Sequence, residues 1–65
     1  MKIGIEVTVY DRFRFAIPLK GKITNFSFVN DGVEVKLLES NNPHYPIGCK
    51  IWVSIKQIRR RIQND

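Results

Sequence analysis

Acidic residues are scarce in this chain, and most chemistry-bearing residue types are scarcer. Its 65 residues include six Asp and Glu, one His, one Cys and one Trp, against eleven Lys and Arg. A lone Cys49 excludes an internal disulfide, so a reducing cytoplasm is the expected compartment. His44 and Cys49 fall short of the four ligands zinc takes, and nothing marks an orienting group or oxyanion hole beside them. There is no Gly-rich phosphate loop, zinc-finger spacing or acidic metal cluster. No stretch approaches the roughly 18 apolar residues of a membrane span. The N-terminus is not signal-like, because Glu6, Thr8 and Tyr10 interrupt any apolar run. Repeats, linkers and low-complexity segments are missing too. The chain is therefore expected not to be an enzyme, to need no cofactor or metal, and to be a complete small protein.

What is present suits one small folded domain spanning residues 1–65. A chain this short buries only about 60% of the surface its unfolded form exposes, so its core is thin and a deep substrate cavity has little room. Hydrophobic residues make up 43% of the sequence, including Phe13, Phe15, Phe26, Phe28 and Trp52, which is too many for a disordered tail.

The formal net charge is +5 and the pI about 9.8. Acids at Glu6, Asp11, Asp31, Glu34, Glu39 and Asp65 leave two acid-free windows, Arg12 to Asn30 and Ser40 to Asn64. Clustered positive charge attracts polyanions; an evenly solubilising surface is the plainer reading.

Ile3, Ile5, Val7 and Val9 alternate with Gly4, Glu6, Thr8 and Tyr10, the period of a half-buried strand. Arg12 to Ile17 alternates again and predicts a strand with Phe13, Phe15 and Ile17 inward, ended by Pro18 and a turn at Lys20-Gly21. Lys22 to Val29 is the next strand; a bulge near Thr24-Asn25 puts Ile23, Phe26 and Phe28 on one face. Asn30-Asp31-Gly32 predicts a hairpin turn with positive φ, and Val33, Val35 and Leu37 return with Glu34 and Lys36 outward. Glu39 to Gly48 reads as an irregular loop. Lys50 to Ser54 is a short strand, and Ser54-Ile55-Lys56-Gln57 has the capping-box pattern. A single turn there, followed by a strand from Ile58 to Ile62, is the favoured ending. A helix from Ser54 to Gln63 is the alternative.

This order resembles the SH3-like small β-barrel: all-β, about five short strands and one helical turn near the C-terminus. The likeness rests on Val7-Thr8-Val9, Gly21-Lys22-Ile23, the Asn30-Asp31-Gly32 hairpin and Gly48 to Ile58. Gly-Lys-Ile after a basic loop is also similar to KOW-type modules, and a small OB-like barrel would show nearly the same pattern. The resemblance implies a binding module, with small phage and plasmid proteins as natural company. Poverty in acids argues against proline-rich peptides as ligands.

Candidate contact residues are Arg12, Arg14, Lys20, Lys22, Tyr45, Lys50, Trp52, Arg59, Arg60 and Arg61. Trp52 lies between Lys50 and Ser54; turned outward it offers a stacking platform, turned inward it fills the core. Arg12 and Arg14 interleave with aromatics, which suits a backbone-tracking surface or simply an amphipathic strand. Arg59-Arg60-Arg61 suits phosphate forks or a solvated edge. Tyr45 packs the long loop down or touches a partner. The expected partner is DNA or RNA, bound through phosphates. The alternative is a protein-interaction module, a phage or mobile-element factor docking on an acidic host protein. No membrane is expected, and oligomeric state is left open.

Overall fold

The computed structural model describes residues 2–60, Arg60 by its backbone alone. One antiparallel sheet contains β1 (Glu6–Val9), β2 (Leu19–Phe26), β3 (Gly32–Leu37), β4 (Lys50–Ser54) and β5 (Ile58–Arg60), in the spatial order β4-β3-β2-β1-β5. The period-two pattern explains which side each residue takes. Val7 and Val9, Val33, Val35 and Leu37, and Ile51 and Val53 are buried, while Thr8, Glu34, Lys36, Lys50 and Trp52 lie on the opposite face. No helix among the described residues is long and apolar enough to cross a membrane.

Chain connectivity forces the sheet to curl. Laid flat, five strands would hold the two edges about 19 Å apart, four spacings of about 4.8 Å. Only the 3₁₀ turn Ile55–Gln57 joins β4 to β5, and the chain from Ser54 to Ile58 reaches about 14 Å at full extension. The strands must therefore wrap one core, and all five contribute to it, with Leu19 and Ile23 from β2 and Ile58 from β5. A register shift between Ile23 and Asn25 supplies part of the bend. The edges do not pair, however. Among the described residues the ladder stays open between β4 and β5, so hydrogen bonds do not complete the expected closed barrel.

The capping box forms as its spacing predicts. Ser54 Oγ accepts the Lys56 N–H at 3.2 Å, and Gln57 Oε1 accepts the Ser54 N–H at 2.9 Å. Ile58 is already extended, with φ −121° and ψ 153°, so the helix alternative is excluded and a short strand follows. Residues 61 and 62 of the expected last strand lie outside the described residues.

Three local expectations are corrected. Residues Arg12 to Ile17 are not a strand, although their alternation mimics one. Asp11 Oδ1 accepts the Phe13 N–H at 3.1 Å, and the Asp11 carbonyl accepts the Arg14 and Phe15 N–H groups at 3.3 and 2.9 Å. That local closure outcompetes a ladder. Phe15 alone reaches the core, and Phe13 (101% exposed) and Ile17 are left outside. Second, Lys20-Gly21 is not a turn but lies within β2, with Gly21 buried. Third, the β2–β3 hairpin forms without positive φ at Asp31 or Gly32. Side chains shape the connection instead: Ser27 Oγ accepts the Val29 N–H at 3.2 Å, and Asn30 Oδ1 accepts the Gly32 N–H at 2.7 Å. Phe28 falls in this loop, 100% exposed, and does not share the face of Ile23.

Gly21 is a packing requirement. It pairs with Val7 on one side and Leu37 on the other, and a Cβ built there would collide with Val35 Cγ1. Gly21→Ala is expected to destabilise by about 1–3 kcal/mol through overpacking. A thermal melt reads this as a fall of several degrees, and an unchanged midpoint would refute the close-approach argument.

Candidate functional site

Registers across the sheet determine which cations meet. On the outward face, Lys22 of β2 is directly opposite Lys36 of β3, and Lys36 is directly opposite Lys50 of β4. All three are exposed, and none forms an ion pair among the described residues. They make a row about 10 Å long, two strand spacings. Lys20 extends it along β2, and Glu6 ends it, opposite Lys22 on β1. Arg59 faces outward opposite Thr8, whose other neighbour is Lys20. Its guanidinium turns back onto the Lys56 and Ile58 carbonyls and over the Tyr10 ring, 5.9 Å from the centroid.

Such a row opposes folding. Like charges directly opposite in a sheet are destabilising, each pair by a few tenths of a kcal/mol to about 1 kcal/mol. Two such pairs share Lys36. Three acids border the row: Glu6 lies opposite Lys22, the Glu39 carboxylate accepts the Lys20 backbone N–H at 3.2 Å, and the Glu34 carboxylate accepts the Thr24 hydroxyl at 2.9 Å. Lys36, at the centre, has a lysine on both sides.

Trp52 stands beside this row. Its strand neighbours Ile51 and Val53 are buried, so the indole faces outward with Lys50 and Ser54 and is 46% exposed. Gly32 lies against the ring: a Cβ there would sit 3.5 Å from Trp52 Cε3. Beside the ring runs a groove of about 350 Å³ lined by Ser27, Asn30, Gly32, Ser54 and Gln57.

Arg14 and Tyr45 have other work. The Arg14 guanidinium donates to the Trp52 carbonyl at 3.0 Å and lies 3.5 Å from the buried Asp11 carboxylate. It also covers the Tyr45 ring, 5.6 Å from the centroid, and Tyr45 meets Phe15 edge-on at the same distance. Asn42 Nδ2 donates to the Arg14 carbonyl at 2.6 Å. These contacts lash the β1–β2 turn to β4 and to the β3–β4 loop. One face of Tyr45 is thereby occupied, whereas the Trp52 ring is open on the outward face. Arg12 is exposed on the turn and lines a groove together with Arg59. The Arg60 side chain and Arg61 lie outside the described residues.

A second groove, about 920 Å³, runs along the β1–β2 turn between Tyr10, Phe13, Ile17, Pro18 and Gln57, with Arg12 and Arg59 at its borders. His44 is exposed and Cys49 half-buried. No cluster of three His, Cys, Asp or Glu suited to a metal occurs among the described residues.

The sequence windows thus divide. Lys20 and Lys22 from the first join Lys50 from the second, and Lys36, between the acids Glu34 and Glu39, is the bridge that a search for acid-free stretches misses. Its signal is parity plus hairpin register. No protein-family model matches this chain, and no curated protein or solved structure matches it.

Proposed function

We propose that this chain is a small, non-enzymatic binding module that holds nucleic acid through its phosphates. The observation that carries this reading is the Lys22–Lys36–Lys50 row. Lys36 is opposed by a lysine on each side, none of the three is ion-paired among the described residues, and a polyanion laid across them removes that repulsion. Lys20 and Arg59 enlarge the field, and Trp52 offers a base a stacking surface. The strand order and the 3₁₀ turn before β5 support reading the sheet as an SH3-like small barrel, its last pairing replaced by chain continuity. The lone free cysteine supports a cytoplasmic setting.

Titrating labelled single-stranded and duplex DNA and RNA at increasing salt tests the proposal. Four lysines on four phosphates predict a log–log slope of about −3 for single strands. Absence of binding at low salt, or affinity indifferent to salt, would overturn it.

The second reading, a protein-interaction module of phage or mobile-element type, draws on the Tyr10–Pro18 groove. Its exposed Phe13 and Ile17 beside Arg12 and Arg59 suit an apolar, acidic segment of a host protein. Stoichiometric capture of one protein from nuclease-treated lysate favours this reading over the first.

A further inference from the structure

The groove beside Trp52 has a hydrogen-bonding bias that its caps create. Each polar side chain lining it has an acceptor already engaged by a backbone N–H. Asn30 Oδ1 accepts from Gly32, Ser27 Oγ from Val29, Ser54 Oγ from Lys56 and Gln57 Oε1 from Ser54. Because a backbone N–H can only donate, these contacts also fix which way both amides are turned. The Asn30 Nδ2 and Gln57 Nε2 groups and the two hydroxyl protons remain, without partners among the described residues. Each capping oxygen keeps a second lone pair, but it already carries one backbone N–H, so the groups wholly without partners in the groove are donors, with an exposed indole beside them.

We infer that this groove takes one unpaired guanine, its ring on Trp52 and its N7 and O6 turned to the donors. This rests on the nucleic-acid reading above and adds a base preference to it. Guanine alone among the bases presents two adjacent acceptors and no donor on one edge. Adenine's corresponding edge brings an amino group against the donors, and cytosine brings its own amino group. Thymine and uracil offer one carbonyl there. The row of lysines begins at Lys50, next to Trp52 on the same face of β4, so a strand whose phosphates follow the row can present a base to the ring.

The test uses short single-stranded oligoadenylates that differ only at a central position: guanine, adenine, cytosine, thymine, 7-deazaguanine or an abasic site. Trp52 is the only tryptophan, so its fluorescence quenching reports stacking directly. The guanine oligonucleotide is expected to bind about tenfold tighter than the adenine one, and 7-deazaguanine to lose most of that margin. Trp52→Ala is expected to weaken guanine binding about tenfold. Asn30→Asp and Gln57→Glu keep the oxygen that caps the backbone but replace the donors with acceptors. Both should collapse the guanine-to-adenine ratio toward one, a ratio that added negative charge alone does not change. Lys50→Gln should lower all affinities and leave the ratio intact. Equal affinity for all bases, or 7-deazaguanine binding as well as guanine, overturns the base assignment while the phosphate reading stands. An abasic oligonucleotide that matches guanine gives the donors to a phosphate and also overturns it. If no oligonucleotide binds at low salt, both proposals fall.

Discussion

A Phe15→Ala variant is expected to lose its cooperative thermal transition, or to retain it only far below that of the parent chain. Phe15 is the one residue of the buried cluster that comes from outside the strands, and it is 2% exposed. It enters the core from the β1–β2 turn and carries the edge-on contact with Tyr45, which in turn lies under Arg14. Truncating a buried Phe costs about 3–5 kcal/mol. A chain of 65 residues has roughly 3–10 kcal/mol of stability in total. The loss thus equals much of what is available, and no neighbouring strand can close over the gap without moving the turn. Phe15→Leu keeps most of the volume and should retain a transition. Phe13→Ala, two residues away and fully exposed, should change stability by no more than about 0.5 kcal/mol. Similar penalties at Phe13 and Phe15 in urea or thermal unfolding would contradict the turn described here and restore a strand.

That contrast shows where sequence patterning stops. In β3 and β4 the alternation is strict and turn-formers bound the strands, so faces and limits are readable; the Ser54–Gln57 box is equally local. At Arg12 to Ile17 the alternation is just as regular, yet the outcome is a turn. The deciding contact is one carboxylate, Asp11, placed where it can take the Phe13 N–H. An Asp two residues before an expected inward Phe was the available signal. The Asp31-Gly32 pair misleads for a related reason. Its positive-φ tendency goes unused because Ser27 and Asn30 satisfy the loop's backbone from their side chains.

Much less of the site was legible than of the fold. Trp52 and Lys50 follow from parity within one strand. The row does not, because it needs the register of three strands across a bulge, and a one-residue slip would scatter it. Arg14 looks like a free cation beside aromatics, yet its partners Asp11, Tyr45 and the Trp52 carbonyl come together only in the fold. The donor bias of the groove appears only once each cap's acceptor is known to be engaged.

Lys36→Glu is the substitution on which the binding reading and a purely structural one part most sharply, because it should move stability and affinity in opposite directions. Lys36 faces Lys22 and Lys50 across the sheet. Reversing its charge turns two repulsive cross-strand pairs into two attractive ones, each worth about 0.2–1 kcal/mol. The variant should therefore melt several degrees higher, with the gain shrinking as salt screens it. The same change removes one phosphate contact and places an acid at the centre of the row. Affinity for a single-stranded oligonucleotide should fall at least about tenfold at low salt, and the salt slope should lessen by about one. Lys36→Gln should show about half the stability gain and a smaller loss of affinity. If these lysines were only a solvated surface, stability would rise and binding would not change. If the row were structural, both would fall. A gain in one with a loss in the other is the pattern expected of a face whose charge arrangement opposes the fold and is relieved by a bound polyanion.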